Sequence, residues 1–557
     1  MHQINDLPEL GHRAWTAAFE KEVKALVDND TFDLTVLPEP DEQVVPTTDL
    51  FRAKLKSDGT IDKLKVRIAA RGDLDKGSVT ENNWAPLASL RLVKIFLADA
   101  ARDGNRIFQI DFVAAFLQAR VDRRIFVKMP ASWGKVLPKF SPYFGRPLLL
   151  KRALYGLTSA GRLFSQDLYE WLIYEYHFRM SDVDTALLVY RDQRSGHYIK
   201  LIQYCDDLLY QSSSMALKAD FEKKLAQRFQ CDLLGQAHWF LQARVTQHAD
   251  FSITLDQSRY VLSIIRRFLP THPVKSILEE TRRQYRSPLP AGFVFTKDDL
   301  SATAEAVKAL EAQFGFRYQV VIGCLIWVIN TLSRIQFAVR KLAKAMASPG
   351  RLHFEAVIHL LHHLRCFPDS GLKFYSKPEE SPFYQQVLKP RNLPLDCLCY
   401  TVSDSSFQDC PNTGRSTRGY VIYYQGGVIE ASSSVPVALS SAEAESNMGA
   451  LASRATAYIR MLLLDLRGLD PDLVVTVPLL LDNSAAQSIG HTFRNTEHTR
   501  HIARRWFYTR SQIQLGFIRI YWIPNEFMVA DALTKNLDGA NPSFLLHRYL
   551  AEHAVPL

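Results

Sequence analysis

Tyr204-Cys205-Asp206-Asp207 stands between two apolar runs, Ile199-Lys200-Leu201-Ile202 and Leu208-Leu209-Tyr210. Adjacent carboxylates in apolar surroundings repel each other and resist desolvation unless a positive charge compensates them. Successive residues of a regular strand face opposite sides. Both acids can therefore serve one site only if the chain turns there, and the segment predicts strand, tight turn, strand. A hard divalent cation, Mg²⁺ or Mn²⁺, is the natural compensating charge for carboxylate oxygens. A solvated hairpin tip is the other reading these four residues allow. Asp111 argues for the cation. Arg106-Ile107-Phe108-Gln109-Ile110-Asp111 reads as a β-rich strand ending in an acid, with Phe112 to Gln118 continuing as a short apolar turn or helix. Beside the Asp206-Asp207 turn it would make three carboxylates. Such a set can hold two metal ions, one activating a 3′-hydroxyl and one neutralising departing pyrophosphate, which is what nucleotidyl transfer requires.

A second set of acids lies near the C-terminus. Cys397 to Ser403 is a β run ending at Asp404, and Gly419 to Tyr424 with Gly427 to Ala431 reads as a hairpin turning at Gln425-Gly426. Ser440-Ser441-Ala442-Glu443-Ala444-Glu445 opens a helical segment to about Leu466, with a serine and a following acid spaced as in a capping box. Val474 to Leu481 is a strand, despite Pro478, ending at Asp482. Phe517 to Ile523 is a last strand, and Asp531 opens a final helix. Asp404, Asp482 and Asp531, with Glu443 or Glu445, at strand ends and helix starts, suit a two-metal phosphodiesterase. Four solvated loop acids are the plainer alternative. Glu443 and Glu445 point roughly 200° apart around a helix, so only one can serve the site.

Other segments fall in a fixed order around these acids. Trp15, Phe19, Glu22, Leu26 and Thr31-Phe32 come first, then Asp58-Gly59-Thr60-Ile61 and Lys65-Val66-Arg67-Ile68-Ala69-Ala70-Arg71-Gly72. Ala85-Pro86-Leu87 with Arg91, Leu154-Tyr155-Gly156-Leu157, and Leu234-Gly235 with Phe240-Leu241 follow. With the Asp111 strand and the Asp206-Asp207 turn, this series resembles the reverse transcriptase of copia-type LTR retrotransposons. The C-terminal acids resemble the RNase H domain of the same elements, Ala530-Asp531-Ala532-Leu533-Thr534-Lys535 being close to the family's A-D-x-L-T-K. The resemblance covers nearly the whole chain.

The resemblance implies a multidomain α+β and α/β fold, a right-hand polymerase (fingers, palm, thumb) followed by an RNase H-like mixed-sheet α/β domain. Fingers and palm would occupy residues 1–273, thumb-like and connection helices with a linker 274–391, and the RNase H-like domain 392–557. It implies an RNA-directed DNA polymerase with RNase H activity. Asp111, Asp206 and Asp207 would be the metal ligands of the first centre, and Asp404, Glu445, Asp482 and Asp531 those of the second. Related sequences place the catalytic glutamate five residues after a serine, here Ser440, which selects Glu445 and leaves Glu443 as a cap. Lys65 and Arg67, on one face of a strand, would receive the incoming triphosphate, or form an exposed basic face. Phe116 would clash with a 2′-hydroxyl, or is a core ring. Gly156 would let the backbone approach substrate, or is a turn. His498 and His501 would assist product release, or lie on a helix surface. The implied cofactors are Mg²⁺ or Mn²⁺. The implied partners are RNA template, DNA primer, RNA/DNA hybrid and dNTPs, with integrase or a second copy as an associating protein.

Composition agrees. A chain of 557 residues is too long for one core and suggests about three or four units. Its 47% hydrophobic and 22% charged content is that of an ordinary globular protein, and a net charge of +9 favours a polyanionic partner. No stretch approaches the roughly 20 apolar residues of a membrane span, and the N-terminus lacks a signal-peptide layout. The 7 cysteines are odd in number and carry no C-x-x-C pair, which suggests a reduced compartment. The expected location is cytoplasmic, with virus-like particles and a nuclear stage as further settings. Ala302–Phe314, Val320–Ala347 and Arg351–Cys366 have helical periodicity. Arg334, Arg340, Lys341, Lys344 and Arg351 on them are expected to touch a duplex backbone. Lys377 to Pro394 looks like a linker. Several positions depart from the family: Cys205 for Val, Thr158-Ser159 for Lys-Gln, Gln242 for Gly, Ala503 for Asp, and no Arg-Pro-Asp near Ser333. They keep a second function in view, a catalytically impaired relic or repurposed nucleic-acid-binding protein that retains the fold. No protease, integrase or capsid segment precedes the reverse transcriptase region, so a processed piece or an element fragment is expected.

Overall fold

The computed structural model describes residues 9–55, 61–77, 83–270, 279–368, 370–394, 399–406, 413–435, 441–482, 500–537 and 553–554. The chain forms two compact units. One comprises Met1–Ala88, Phe108–Ser181 and Thr185–Gly235, the other Ser89–Ile107, Asp182–Asp184 and Gln236–Leu557.

The first unit is built on two sheets. A five-stranded sheet is dominated by a long antiparallel pair, β1 (Val44–Leu55) and β2 (Ile61–Ala70). Helix α1 (Glu9–Asp28) sets Phe19, Val23 and Leu26 into a core shared with Val66 and Ile68 of β2. The six-stranded sheet carries β3 (Ile107–Phe112), β4 (Tyr198–Tyr204) and β5 (Asp207–Ser212), with β5 between β3 and β4. Most of β4 and β5 is buried, which explains their apolar runs without alternation. The helices Ala160–Glu170 and Met215–Arg228 add Phe164, Leu168, Phe221 and Leu225 to the same core.

The second unit draws in α2 (Leu90–Asp103). Ser89 caps its start by accepting from the Leu92 amide, and Gly104, at φ +67, ends it. Residues Leu92 to Ala101 of this helix are all buried. Arg91 Nε lies 2.7 Å from Glu430 Oε2, and the Tyr424 hydroxyl donates to Asp99 Oδ1 at 3.4 Å. Arg106 donates to the His248 carbonyl at 2.9 Å.

A helical core follows, with Tyr318–Val328, α3 (Gln336–Ala343) and α4 (Arg351–Cys366) packed around Val321, Leu325, Val339 and Leu360. The single helix predicted over 320–347 is two helices, because Leu332 leaves the helical region at ψ 68. Arg334 is a correction: it is 8% exposed and donates to the Phe367 carbonyl at 2.8 Å, so it cannot touch a duplex. The stretch also holds a strand, Ser370–Phe374, in a small antiparallel sheet with Ile253–Asp256. The expected linker is ordered as well. Phe383, Val387 and Leu388 are buried, and Phe383 stacks on Tyr423 with ring centroids 4.2 Å apart.

The last sheet has five strands: β6 (Tyr400–Ser406), β7 (Thr417–Tyr424), β8 (Gly427–Ser434), β9 (Val477–Leu481) and β10 (Ile518–Trp522). Its spatial order is β8-β7-β6-β9-β10. The first three run antiparallel, while β9 is parallel to both β6 and β10. Helix α5 (Ser441–Arg467) links β8 to β9, α6 (Arg500–Gln514) lies between β9 and β10, and α7 (Asp531–Thr534) follows β10. This is the mixed-sheet α/β arrangement expected for the C-terminal part. Among the described residues no helix is long and apolar enough to cross a membrane.

Candidate active sites

The first site is a tight hairpin. Tyr204 pairs with Asp207, leaving Cys205 and Asp206 as the turn, and Cys205 takes a left-handed φ of +54. Gln203 braces it from below, donating to the Cys205 carbonyl at 2.8 Å and to Ser165 Oγ at 3.0 Å. The Phe112 amide donates to the Asp206 carbonyl at 3.2 Å and so joins the end of β3 to the turn. Gln109 Nε2 donates to Asp207 Oδ1 at 3.1 Å. Asp206 is exposed, whereas Asp111 and Asp207 are half-buried. Burial pushes the Asp207 carboxyl up to about 6, the Gln109 bond opposes this, and the charges of Asp206 and Asp111 add to it. The charges of Asp206 and Asp111 thus act on Asp207.

The neighbouring residues have partners that the sequence did not reveal. Arg67 Nη1 lies 2.7 Å from Glu22 Oε2, and its guanidinium sits 4.7 Å from the Tyr155 ring centroid. Burial raises the Glu22 carboxyl, with Arg67 opposing. Lys65 is half-buried and lies opposite Arg52 in the β1–β2 ladder. Phe116 is half-buried, its ring centroid 5.1 Å from that of Tyr155. Gly156 has φ +86, and a Cβ there would lie 2.2 Å from the Ala70 carbonyl oxygen. Glycine is therefore required by the approach of this turn to β2.

The second site is tighter. Asp404, Asp482 and Asp531 bring carboxylate oxygens within 4.8 Å of one another, the one such group of three ligand side chains among the described residues. Asp404 sits inside β6 opposite Gly419, because the strand runs on to Ser406 rather than ending at the acid as its sequence suggests. Asp482 directly follows β9, and the Trp522 ring N–H donates to its carbonyl at 2.9 Å. Asp531 opens α7. Gly419 lets α7 approach, since a Cβ there would lie 2.7 Å from Leu533 Cβ. The Thr534 hydroxyl donates to Asp404 Oδ2. Lys535 Nζ lies 2.8 Å from Asp531 Oδ1 and 3.9 Å from Asp404 Oδ2. Burial and the Asp404 charge push Asp482 up to about 6 and Asp531 up to about 8. Burial pulls Lys535 down, but Asp404 and Asp531 outweigh it and raise it.

Oxygen-only donor sets with carboxyls held up by burial and by neighbouring negative charge fit hard cations such as Mg²⁺ or Mn²⁺. Glu445 lies on α5, but its side chain falls outside the described residues, as do Ser440, His498 and the side chain of His501. Glu443 is buried in the first turn of α5. Gln109, Gln203 and Gly419 carried no legible signal. Glu22, Thr534 and Lys535 stood within recognised motifs without an evident role.

Residues 29–277 match the family model described as "Reverse transcriptase (RNA-dependent DNA polymerase)". The chain is 26% identical over 530 residues to the Retrovirus-related Pol polyprotein from transposon RE1 of Arabidopsis thaliana, covering 94% of this chain and 33% of that one. The corresponding polyprotein from transposon RE2 of the same plant is 27% identical over 534 residues, with the same coverage. Along nearly its whole length the chain is thus similar to retrotransposon Pol polyproteins, and its N-terminal half to the reverse transcriptase model. It spans about a third of the length of these curated relatives. Among solved structures, the foamy viral protease-reverse transcriptase in complex with double-stranded DNA aligns at 12% identity with a TM-score of 0.46, covering 91% of this chain and 69% of that one. The glycine that the resemblance places after Phe240-Leu241 is here Gln242. Leu241 and Gln242 adopt left-handed φ values of +49 and +61.

Proposed function

We propose that this chain copies RNA into DNA at Asp111, Asp206 and Asp207 and cuts the RNA strand of the resulting hybrid at Asp404, Glu445, Asp482 and Asp531. The single observation that supports this best is the Asp206-Asp207 hairpin clasped to the end of β3 inside the matched family region. In the proposal, residues 1–273 serve as fingers and palm, 274–391 as thumb-like and connecting helices, and 392–557 as the RNase H-like part.

Gln109 fixes the orientation of Asp207, and Gln203 fixes the turn that presents Asp206. Thr534 and Lys535 do the same for Asp404 and Asp531. Paired Mg²⁺ or Mn²⁺ ions held by each set would acidify the attacking hydroxyl or water and neutralise the departing oxygen. Lys65 and Arg67 are assigned to the triphosphate, Arg67 through exchange of its Glu22 partner, Phe116 to the sugar, and Gly156 to the adjoining turn. His498 and His501 are assigned to product release. RNA template, DNA primer, hybrid and dNTPs are the proposed ligands, with integrase or a second copy as protein partner. Cytoplasmic residence, virus-like particles and a nuclear stage complete the proposal.

Primer extension on an RNA template with Mg²⁺ or Mn²⁺ tests the first activity, and Asp206→Asn with Asp207→Asn should abolish it. A gel assay of RNA-strand cleavage, with Asp404→Asn as control, tests the second. The substitutions at Thr158, Ser159 and Gln242 favour the alternative of an impaired relic. Binding of template-primer without any extension would support that alternative.

A further inference from the structure

The second unit contains an open cleft of about 710 Å³ between α3 and the ends of β7 and β8. Phe295, Leu300 and Phe337 form an apolar floor. Five cations line its walls, Lys297, Arg340, Lys341, Lys344 and Arg415, and no acid does among the described residues. Two of the cations build the wall. Arg340 donates to the Ser433 carbonyl, and Lys341 Nζ donates to the Phe293 carbonyl at 2.8 Å. The other three are exposed, and their side chains bond no described residue.

Three unengaged cations around one concavity cost self-repulsion, which an anionic ligand would relieve. The volume far exceeds what a lone phosphate fills and lies within the roughly 300–1,000 Å³ range of small organic ligands. An apolar, aromatic floor inside a cationic rim suits a base and its backbone phosphates together. An acidic polypeptide would satisfy the rim and leave the floor unfilled.

We propose that this cleft is a single-stranded nucleic-acid site that takes an unpaired base on its floor and the flanking phosphates on Lys297, Lys344 and Arg415. The site extends the nucleic-acid function proposed above and uses neither acid cluster.

Fluorescence anisotropy of the full chain with labelled oligo(dT), oligo(rU) and an abasic oligomer of equal length tests it. K297E/K344E/R415E should bind oligo(dT) or oligo(rU) about tenfold or more weakly, with the slope of log affinity on log salt shallower by roughly 2. The unsubstituted chain should bind the base-bearing strand several-fold more tightly than the abasic one. Preference for oligo(rU) would assign the cleft to template, preference for oligo(dT) to a DNA strand. Unchanged binding by the variant, equal binding of the abasic strand, or displacement of the oligomer by polyglutamate at equal charge would overturn the proposal. K297Q/K344Q/R415Q replaces the charge reversal if that variant does not fold. A chain that never extends primers yet shows the expected binding differences would refute the catalytic proposal and leave this one standing.

Discussion

The Thr534 hydroxyl donates to Asp404 in a fully buried contact, so a side chain on α7 orients an acid that lies on β6. The two residues are 130 positions apart, and the bond leaves Asp404 one fewer free acceptor direction. Thr534→Val preserves shape and removes the donor. RNA-strand cleavage should fall by roughly 10- to 100-fold, the usual effect of losing an outer-shell partner of a metal-binding residue. Primer extension should not change, and parallel loss of both activities would indicate misfolding instead.

Gly419 faces Leu533, with 2.7 Å between a built Cβ and Leu533 Cβ. Gly419→Ala should push α7 and Asp531 outward and destabilise the protein by about 1–3 kcal/mol, as overpacking does. Urea denaturation measures this directly. Undiminished stability would mean that α7 yields freely.

The Gln109 bond lowers the Asp207 carboxyl against burial, which together with its acidic neighbours holds it up at about 6. Gln109→Leu removes that opposing influence, so the carboxyl should rise further. The acid limb of the pH profile of primer extension should move upward by about half a unit to one unit. An unmoved limb would separate that limb from Asp207.

Asp482 and Asp531 are raised to about 6 and about 8. Between the ordinary carboxyl value near 4 and these values, the folded chain holds protons that the unfolded chain has released. Stability without divalent ions is therefore greatest at low pH within this window and is lost as pH rises through 6 towards 8. Chelator-treated protein should show a Tm lower by roughly a few degrees at pH 8 than at pH 5.5, and Mg²⁺ should narrow the gap. A Tm that rises over this interval would contradict the arrangement of the triad.

Leu241 and Gln242 occupy the left-handed region in succession. Gln242→Gly should relieve strain, offset in part by the greater freedom of glycine in the unfolded chain, for a net gain of about 0.5–1 kcal/mol. The midpoint of urea unfolding reads it, and a fall would show that the Gln242 side chain makes a compensating contribution.

The Asp206-Asp207 turn was legible from local sequence because two adjacent acids between apolar runs leave few alternatives. The order of strands and helices in the C-terminal sheet was legible for a similar reason, each element carrying its own periodicity and turn residues, apart from α6, which the sequence reading did not place. The position of Asp404 within its strand was not, since a buried acid inside β6 is tolerated only through Thr534 and Lys535, far away in sequence. Lys377 to Pro394 misled because proline and polar residues mark a break in regular structure without saying whether its few large side chains are buried. Phe383 is, against Tyr423. Arg334 misled in the opposite way, as a helix-borne cation whose partner is a backbone carbonyl.

Helix α2 and the residues just after it are separated in sequence from the rest of their unit by most of the first unit, yet Arg91, Asp99 and Arg106 are tied to Glu430, Tyr424 and His248. No single cut can free the C-terminal half intact. Severing the backbone anywhere between Ile107 and Gln236 leaves the downstream fragment without the helix that neutralises Glu430. Recombination or proteolytic maturation that excises the C-terminal portion would therefore discard part of its own scaffold.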